Sequence, residues 1–286
     1  MSNLQLPQWR FIDESITAKN RSALESFAMD DTLCHLVGQK MSVPTVRTWV
    51  HDETVVLGIQ DHRLPHIEKA LPMFQEAGYK AIVRNSGGLA VVLDEGVLNI
   101  SIVLSEQEGS IDIPEGYEAM VEFVRMLFPE VAEQIEAYEI VGSYCPGSYD
   151  LSIGGRKFAG ISQRRLRQGV AVQVYLCVEG SGAERARLIR DLYEVGLQGE
   201  ETKFAYPEIR PEVMASLSEL IGEPQTVGEV GIRVQLLLRA LSEEEVQTGG
   251  FTPEEMELYL FYLNRVVERN QKMLARGHLQ RREIDL

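Results

Sequence analysis

The chain has 286 residues, 44% of them hydrophobic, and a formal net charge of −15 at pH 7. That length and apolar content suffice for a large core without disulfide or metal staples. The acidic balance disfavours nonspecific nucleic-acid binding, which needs a basic surface to meet phosphates. No run of roughly 18 apolar residues marks a membrane span, and MSNLQLPQWRFIDESI lacks the basic start and apolar stretch of a signal peptide, so a cytoplasmic chain with no membrane partner is expected. Three cysteines, Cys34, Cys145 and Cys177, are odd in number and far apart, which argues against a disulfide framework. There is no CxxC pair, and no structural zinc site is expected.

In chain order, Ser22–Gly38 reads as a helix with Leu24, Phe27, Ala28 and Leu33 on its apolar stripe and Gly38 as its stop. Strands TVRTWV and TVVLGI follow, then a helix over His66–Tyr79. KAIVR and LAVVL are strands separated by the turn NSGG. VLNISIVL is a longer strand, with Leu98, Ile100, Ile102 and Leu104 on one face and Asn99 and Ser101 on the other. Pro114–Phe128 is an amphipathic helix, and the pattern of PEVAEQIEAYEI continues it past Pro129. In GVAVQVYLCV, Val170, Val172, Val174 and Leu176 share a face opposite Cys177, and both Cys34 and Cys177 read as core cysteines. From Pro207 the pattern is helical, with Thr252 and Glu255 forming a capping box before the last helix and a charged, frayed tail over 275–286. These elements make an α+β chain with mixed or antiparallel sheets flanked by helices and a helical C-terminal part. The expected organisation is an N-terminal segment and helix over 1–44, a body over 45–250 and a C-terminal helix over 251–286.

The stretch GSYCPGSYDLSIGGRKFAGIS carries the chemistry. Gly154-Gly155 signals a two-residue hairpin, which pairs Ile153 with Arg156, Ser152 with Lys157 and Leu151 with Phe158. Tyr149, Leu151, Ile153 and Phe158 then face the core, while Asp150, Ser152, Lys157 and Ala159 face the other way. Cys145 precedes this hairpin in a turn shaped by Pro146 and Gly147. A free thiol titrates near pH ~8.5, so little thiolate is present at neutral pH, and an ammonium close to the sulfur would lower that pKa. A lysine could also hold a carbonyl oxygen where negative charge develops. From local chemistry alone, Cys145 is either a small core residue or a nucleophile partnered by Lys157. Arg156, Lys157, Arg164, Arg165 and Arg167 crowd one acid-free stretch, a solvated face or a patch for an anionic partner.

Three blocks resemble the biotin/lipoate protein ligase superfamily. ETVVLGIQD (53–61) is similar to a strand ending at a glutamine in lipoate ligases. VRNSGGLAVVLDEGVLNIS (83–101) resembles their glycine-rich lipoyl-binding loop, and GRKFAGISQRR (155–165) resembles the block holding their lysine. Val83, Leu89 and Leu93 stand where that loop motif has an arginine, a glycine and a histidine, which weakens the case for ATP-dependent activation. SYCPGSYDLSI, SFAMDDTLC, EGYEAM and YPEIRPEVMASLSEL resemble one branch, the cysteine-dependent octanoyl amidotransferases of Gram-positive bacteria.

That resemblance implies an acyltransferase of lipoate biosynthesis that requires neither ATP nor a metal. It would move an octanoyl or lipoyl group from the lysine of octanoylated glycine cleavage H protein to lipoyl domains of 2-oxoacid dehydrogenase complexes. It implies Cys145 as the acyl-thioester nucleophile and Lys157 as the residue that lowers its pKa and contacts the carbonyl. Arg84, Ser86, Gly87, Gly88, Asn99, Gly160 and Ser162 are the implied acyl and substrate contacts, with backbone N–H groups near Gly160 as oxyanion donors. Arg156, Arg164, Arg165 and Arg167 would rim the mouth and steer the acidic carrier. The rival expectations are an octanoyl-acyl carrier protein donor, an ATP-dependent lipoate–protein ligase, and a non-catalytic carrier-binding module on the same fold.

Overall fold

In the computed structural model, which describes residues 4–107 and 109–279, one strand organises the molecule. This is β6 (Val97–Ser105), the VLNISIVL segment. It lies in an eight-stranded mixed sheet between β2 (Thr45–Trp49) and β10 (Gly169–Cys177). The sheet continues on one side through β1 (Arg10–Glu14) to β11 (Gln247–Thr248), both joined in parallel. On the other side it runs through β9 (Arg156–Leu166) and β8 (Leu151–Ile153) to β7 (Glu136–Ala137). A separate three-stranded sheet has the order β4 (Lys80–Val83), β3 (Thr54–Leu57), β5 (Val91–Leu93).

The alternation along β6 sorts its side chains into two cores. Leu98, Ile100, Ile102 and Leu104 pack beneath α3 (Ile113–Leu127), α5 (Leu217–Ile221) and α6 (Val227–Leu241). Val97 and Val103 join the opposite core, with α1 (Ala23–Gly38), α2 (Ile67–Glu76), α4 (Gly182–Leu197), α7 (Pro253–Leu279) and the small sheet. Because both faces are covered, the polar pair Asn99 and Ser101 is buried rather than solvated. A polar side chain in that position needs partners or a ligand.

The α1 helix is capped by Ser22 and Glu25 in a reciprocal box. It is buried almost all round, including Asp30 and Asp31. Gly38 ends it where the chain passes so close that a Cβ would sit 2.3 Å from the Arg167 oxygen. The expected box at Thr252 and Glu255 starts α7, and Glu255 also pairs with Arg10 of β1 at 2.6 Å. Both terminal segments thus pack into the body, β1 within the main sheet and α7 against α1. The tail expected to fray from residue 275 is helical through Leu279, where α7 ends, and residues 280–286 lie outside the described residues.

Two local expectations are corrected. The α3 helix stops at Leu127, because the residue before a proline avoids helical backbone; only a short 3₁₀ turn and β7 occupy the stretch past Pro129. The hairpin turn forms with both Gly154 and Gly155 at positive φ, 57° and 74°. Its register then slips at a bulge between Leu151 and Ser152, so Leu151 pairs with Ala159, not Phe158. Phe158 and Ala159 are consequently both buried in the core beneath α3. The α4 helix, capped by Ser181, belongs to a stretch the sequence reading did not assign.

Candidate active site

Antiparallel register places residues two apart on one sheet face in successive cross-strand rows. One such row runs Trp49–Asn99–Tyr175–Gly160 and the next Arg47–Ser101–Gln173–Ser162. Trp49, Asn99, Gly160, Ser162, Gln173 and Tyr175 line a cavity of about 220 Å³. The apolar Phe27, Val56, Val91 and Leu93 share that lining, as do Arg84, Gly87, Gly88, Cys145, Pro146 and Gly147. An aliphatic chain and a few polar contacts suit such a wall.

The second row is held from beneath by α1. Arg47, fully buried, donates to Asp30 Oδ1 at 2.7 Å and to Glu14 Oε2 at 2.8 Å. Asp30 Oδ2 accepts from Ser101 Oγ at 2.8 Å and from Gln173 Nε2. Gln173 Oε1 accepts from Ser162 Oγ at 3.2 Å, and Asn99 Nδ2 donates to the Trp49 carbonyl at 3.3 Å. These polar groups are satisfied, so they fix the wall's shape.

Cys145 is half-buried, whereas Cys34 and Cys177 are fully buried. Burial pushes the thiols of both Cys34 and Cys177 up, with Asp30 and Asp31 adding to the effect at Cys34. Cys145 stands at φ 45°, a left-handed conformation that costs a non-glycine residue about 1 kcal/mol or more. Its Sγ accepts from Arg84 Nη2 at 3.3 Å and from the Leu89 N–H at 3.2 Å. Arg84 leaves the end of β4, where its own N–H donates to the Leu57 carbonyl, and its Nη2 also caps the Leu89 carbonyl. Gly88, at φ 97°, lets the loop pass beneath both: a Cβ there would lie 2.3 Å from Arg84 Nη2 and 3.0 Å from the sulfur.

Lys157 stands behind Cys145 rather than beside its sulfur. Its ammonium is fully buried and donates to the carbonyls of Tyr144 and Cys145, each at 2.9 Å, and to Ser143 Oγ at 3.3 Å. It pairs with Asp150 Oδ1 at 2.8 Å. Burial raises the Asp150 carboxyl above its ordinary value, against the pull of Lys157. Asp150 also accepts from the Ile140 N–H and Ser143 Oγ. The 140–150 loop is thus clamped from within. From outside, the Arg210 N–H donates to the Gly142 carbonyl at 2.8 Å.

Of the residues singled out in the sequence, Cys145, Arg84, Gly87, Gly88, Asn99, Gly160 and Ser162 come together at the cavity. Lys157 reaches the Cys145 backbone, and Ser86 is buried without lining the cavity. Gly160 has a steric part: a Cβ on it would lie 2.6 Å from the Tyr175 ring. The sequence reading places Asp150 on the Lys157 face but gives it no role, and Tyr175, Gln173 and the Leu89 N–H escaped it. Tyr175 and Gln173 share the Cys177 face of β10, so strict alternation would have placed them together. The basic cluster is largely committed within the fold: Arg164 pairs with Asp31 at 2.6 Å and Arg165 with Glu106 at 2.7 Å.

The chain matches the lipoyl protein ligase A/B catalytic domain family over residues 22–238. It is 68% identical to the octanoyl-[GcvH]:protein N-octanoyltransferase of Lysinibacillus sphaericus, over 96% of this chain and 99% of that protein. The chain belongs to the octanoyl-[GcvH]:protein N-octanoyltransferase family. A Listeria monocytogenes protein named lipoyl-[GcvH]:protein N-lipoyltransferase is 49% identical over 93% of this chain and 96% of its own length. Lipoate-protein ligase A bound with ATP has the same fold at 17% identity, with a TM-score of 0.64 over 90% of this chain and 94% of that chain. Within that shared fold, this N-octanoyltransferase family member presents a cysteine at the cavity. Among the described residues, no helix is long and apolar enough to cross a membrane.

Proposed function

We propose that this acyltransferase moves an octanoyl or lipoyl group from the lysine of glycine cleavage H protein to the lysine of lipoyl domains of 2-oxoacid dehydrogenase complexes. The group travels as a thioester on Cys145, with no need for ATP or a metal. One amide is exchanged for another, so the overall free-energy change is small, and the barrier lies in opening an amide. The observation that carries this reading is the half-buried Cys145, held in a left-handed turn at an acyl-sized cavity and gripped at sulfur by Arg84 and the Leu89 N–H.

In the first half-reaction the Cys145 sulfur attacks the amide carbonyl carbon. The C–S bond forms and the carbonyl π pair moves to oxygen. Collapse breaks the C–N bond, and the proton from the thiol leaves with the lysine nitrogen, freeing the donor's amine. In the second half-reaction the acceptor's amine attacks the thioester, the C–S bond breaks and the thiol regains a proton. Arg84 and the Leu89 N–H hold the sulfur when it carries charge, as attacking group and again as leaving group. Lys157 and Asp150 keep the loop in place through both steps.

Incubation with octanoyl-GcvH without ATP, followed by intact-mass analysis, tests this. The expected result is one octanoyl adduct on Cys145, discharged by a lipoyl domain, and none on Cys145→Ser. Full transfer by Cys145→Ser, or transfer only with ATP, would overturn it.

A further inference from the structure

Tyr175 carries a buried hydroxyl at this cavity. The side chain is 8% exposed and lines the Cys145 cavity, and its oxygen has no hydrogen-bond partner among the described residues. A buried hydroxyl without a partner costs stability, so its retention calls for an explanation. Gly160, the cross-strand neighbour of Tyr175, lacks the side chain that would collide with its ring. Tyr144, adjacent to Cys145 in the chain, stacks on it at 5.9 Å between centroids, and Lys157 Nζ lies 5.9 Å from its centroid.

The chemistry of the ligand limits what this hydroxyl can meet. An acyl group on sulfur brings one polar atom, the carbonyl oxygen, and its hydrocarbon chain brings none. Among the described residues, the buried side-chain donors without an acceptor on residues lining the cavity are the Tyr175 hydroxyl and Arg84 Nε. Burial raises the Tyr175 phenol well above its ordinary value, so it keeps its proton and acts as a donor across the working pH range.

We infer that Tyr175 is a catalytic residue whose O–H donates to the carbonyl oxygen of the acyl group on Cys145 and to the oxyanion formed there during attack. The inference rests on the thioester reading above. No proton is transferred: the hydrogen bond shortens as the π pair moves to oxygen and relaxes when the C–N or C–S bond breaks.

The test compares wild type with Tyr175→Phe, using octanoyl-GcvH without ATP. Acyl-enzyme formation is read by intact mass, thiol access by iodoacetamide alkylation, and folding by melting temperature. Loss of an oxyanion donor should slow acylation about 100-fold. The Phe variant should melt no lower than wild type, because it removes an unpartnered buried polar group, and should alkylate at the wild-type rate. A Phe variant that acylates at the wild-type rate overturns the assignment. So does one whose acylation, alkylation and melting temperature fall together, the mark of a packing role. A wild type that takes no acyl group overturns the thioester reading and this assignment with it.

Discussion

The Lys157 ammonium lies 2.9 Å from the carbonyl oxygen of Cys145, while the Cys145 sulfur accepts its hydrogen bonds from Arg84 and the Leu89 N–H. Two cations therefore divide the work around one residue. Arg84 contacts the sulfur, and Lys157 contacts the backbone that carries it. Lys157 has three N–H donors and four acceptors within reach, so its charge is already met by Asp150, two carbonyls and Ser143.

Arg84 should set the reactivity of the thiol. A hydrogen bond to a charged group contributes about 1.5–3 kcal/mol, which corresponds to roughly tenfold or more in an equilibrium. Arg84→Gln should therefore alkylate about tenfold more slowly at neutral pH. Iodoacetamide kinetics on a variant also carrying Cys34→Ala and Cys177→Ala would read this directly. An unchanged rate would leave Arg84 only its contact with the Leu89 carbonyl.

Lys157 should matter first to stability. Removing one partner of a buried ion pair leaves the other charge without compensation, at about 3–5 kcal/mol. Lys157→Met should cost about that much in urea unfolding, since Asp150 is 2% exposed. Adding Asp150→Leu removes the stranded carboxyl and should restore part of the loss without restoring transfer. If Lys157→Met unfolds like wild type, the pair does not hold the loop.

Asp61 should leave a signature in the pH dependence of stability. It is fully buried beneath the 85–90 loop, accepting from the Gly58 N–H at 2.7 Å and from Tyr193 at 3.0 Å. Burial pushes its carboxyl up to about 6 from 3.8. Between those values the folded chain binds more protons than the unfolded one, so this group's contribution grows as pH falls from 7 towards 4. His51 runs the opposite way. Burial, then Arg47, push it down to about 4 from 6.5, so its contribution is lost as pH falls through the same window. Asp61→Asn removes only the first effect. Between pH 7 and pH 5 the variant should lose about 1 kcal/mol more than wild type in chemical denaturation. Parallel curves would show that Asp61 titrates as an ordinary carboxylate.

Local sequence determined what local physics decides. The capping boxes at Ser22 and Thr252, the Gly154-Gly155 hairpin turn and the alternation of β6 and β10 each depend on residues a few positions apart, and each is present. The resemblance also brought Arg84, Gly87, Gly88, Asn99, Cys145, Gly160 and Ser162 of the cavity onto one list, because those residues occupy short motifs. Tertiary structure decided the rest. The bulge at Leu151 could not be read from a turn signal, since it answers to the packing of Phe158 and Ala159 under α3. Covering β6 on both sides turned a polar face into a buried wall, and only a second layer can do that. Above all, Arg84 and Cys145 are 61 positions apart, and nothing near either residue in the chain indicates that they meet. Their contact exists because a glycine at 88 lets one loop pass under the other, and the sulfur's partner was therefore settled by packing at close range rather than by spacing along the chain.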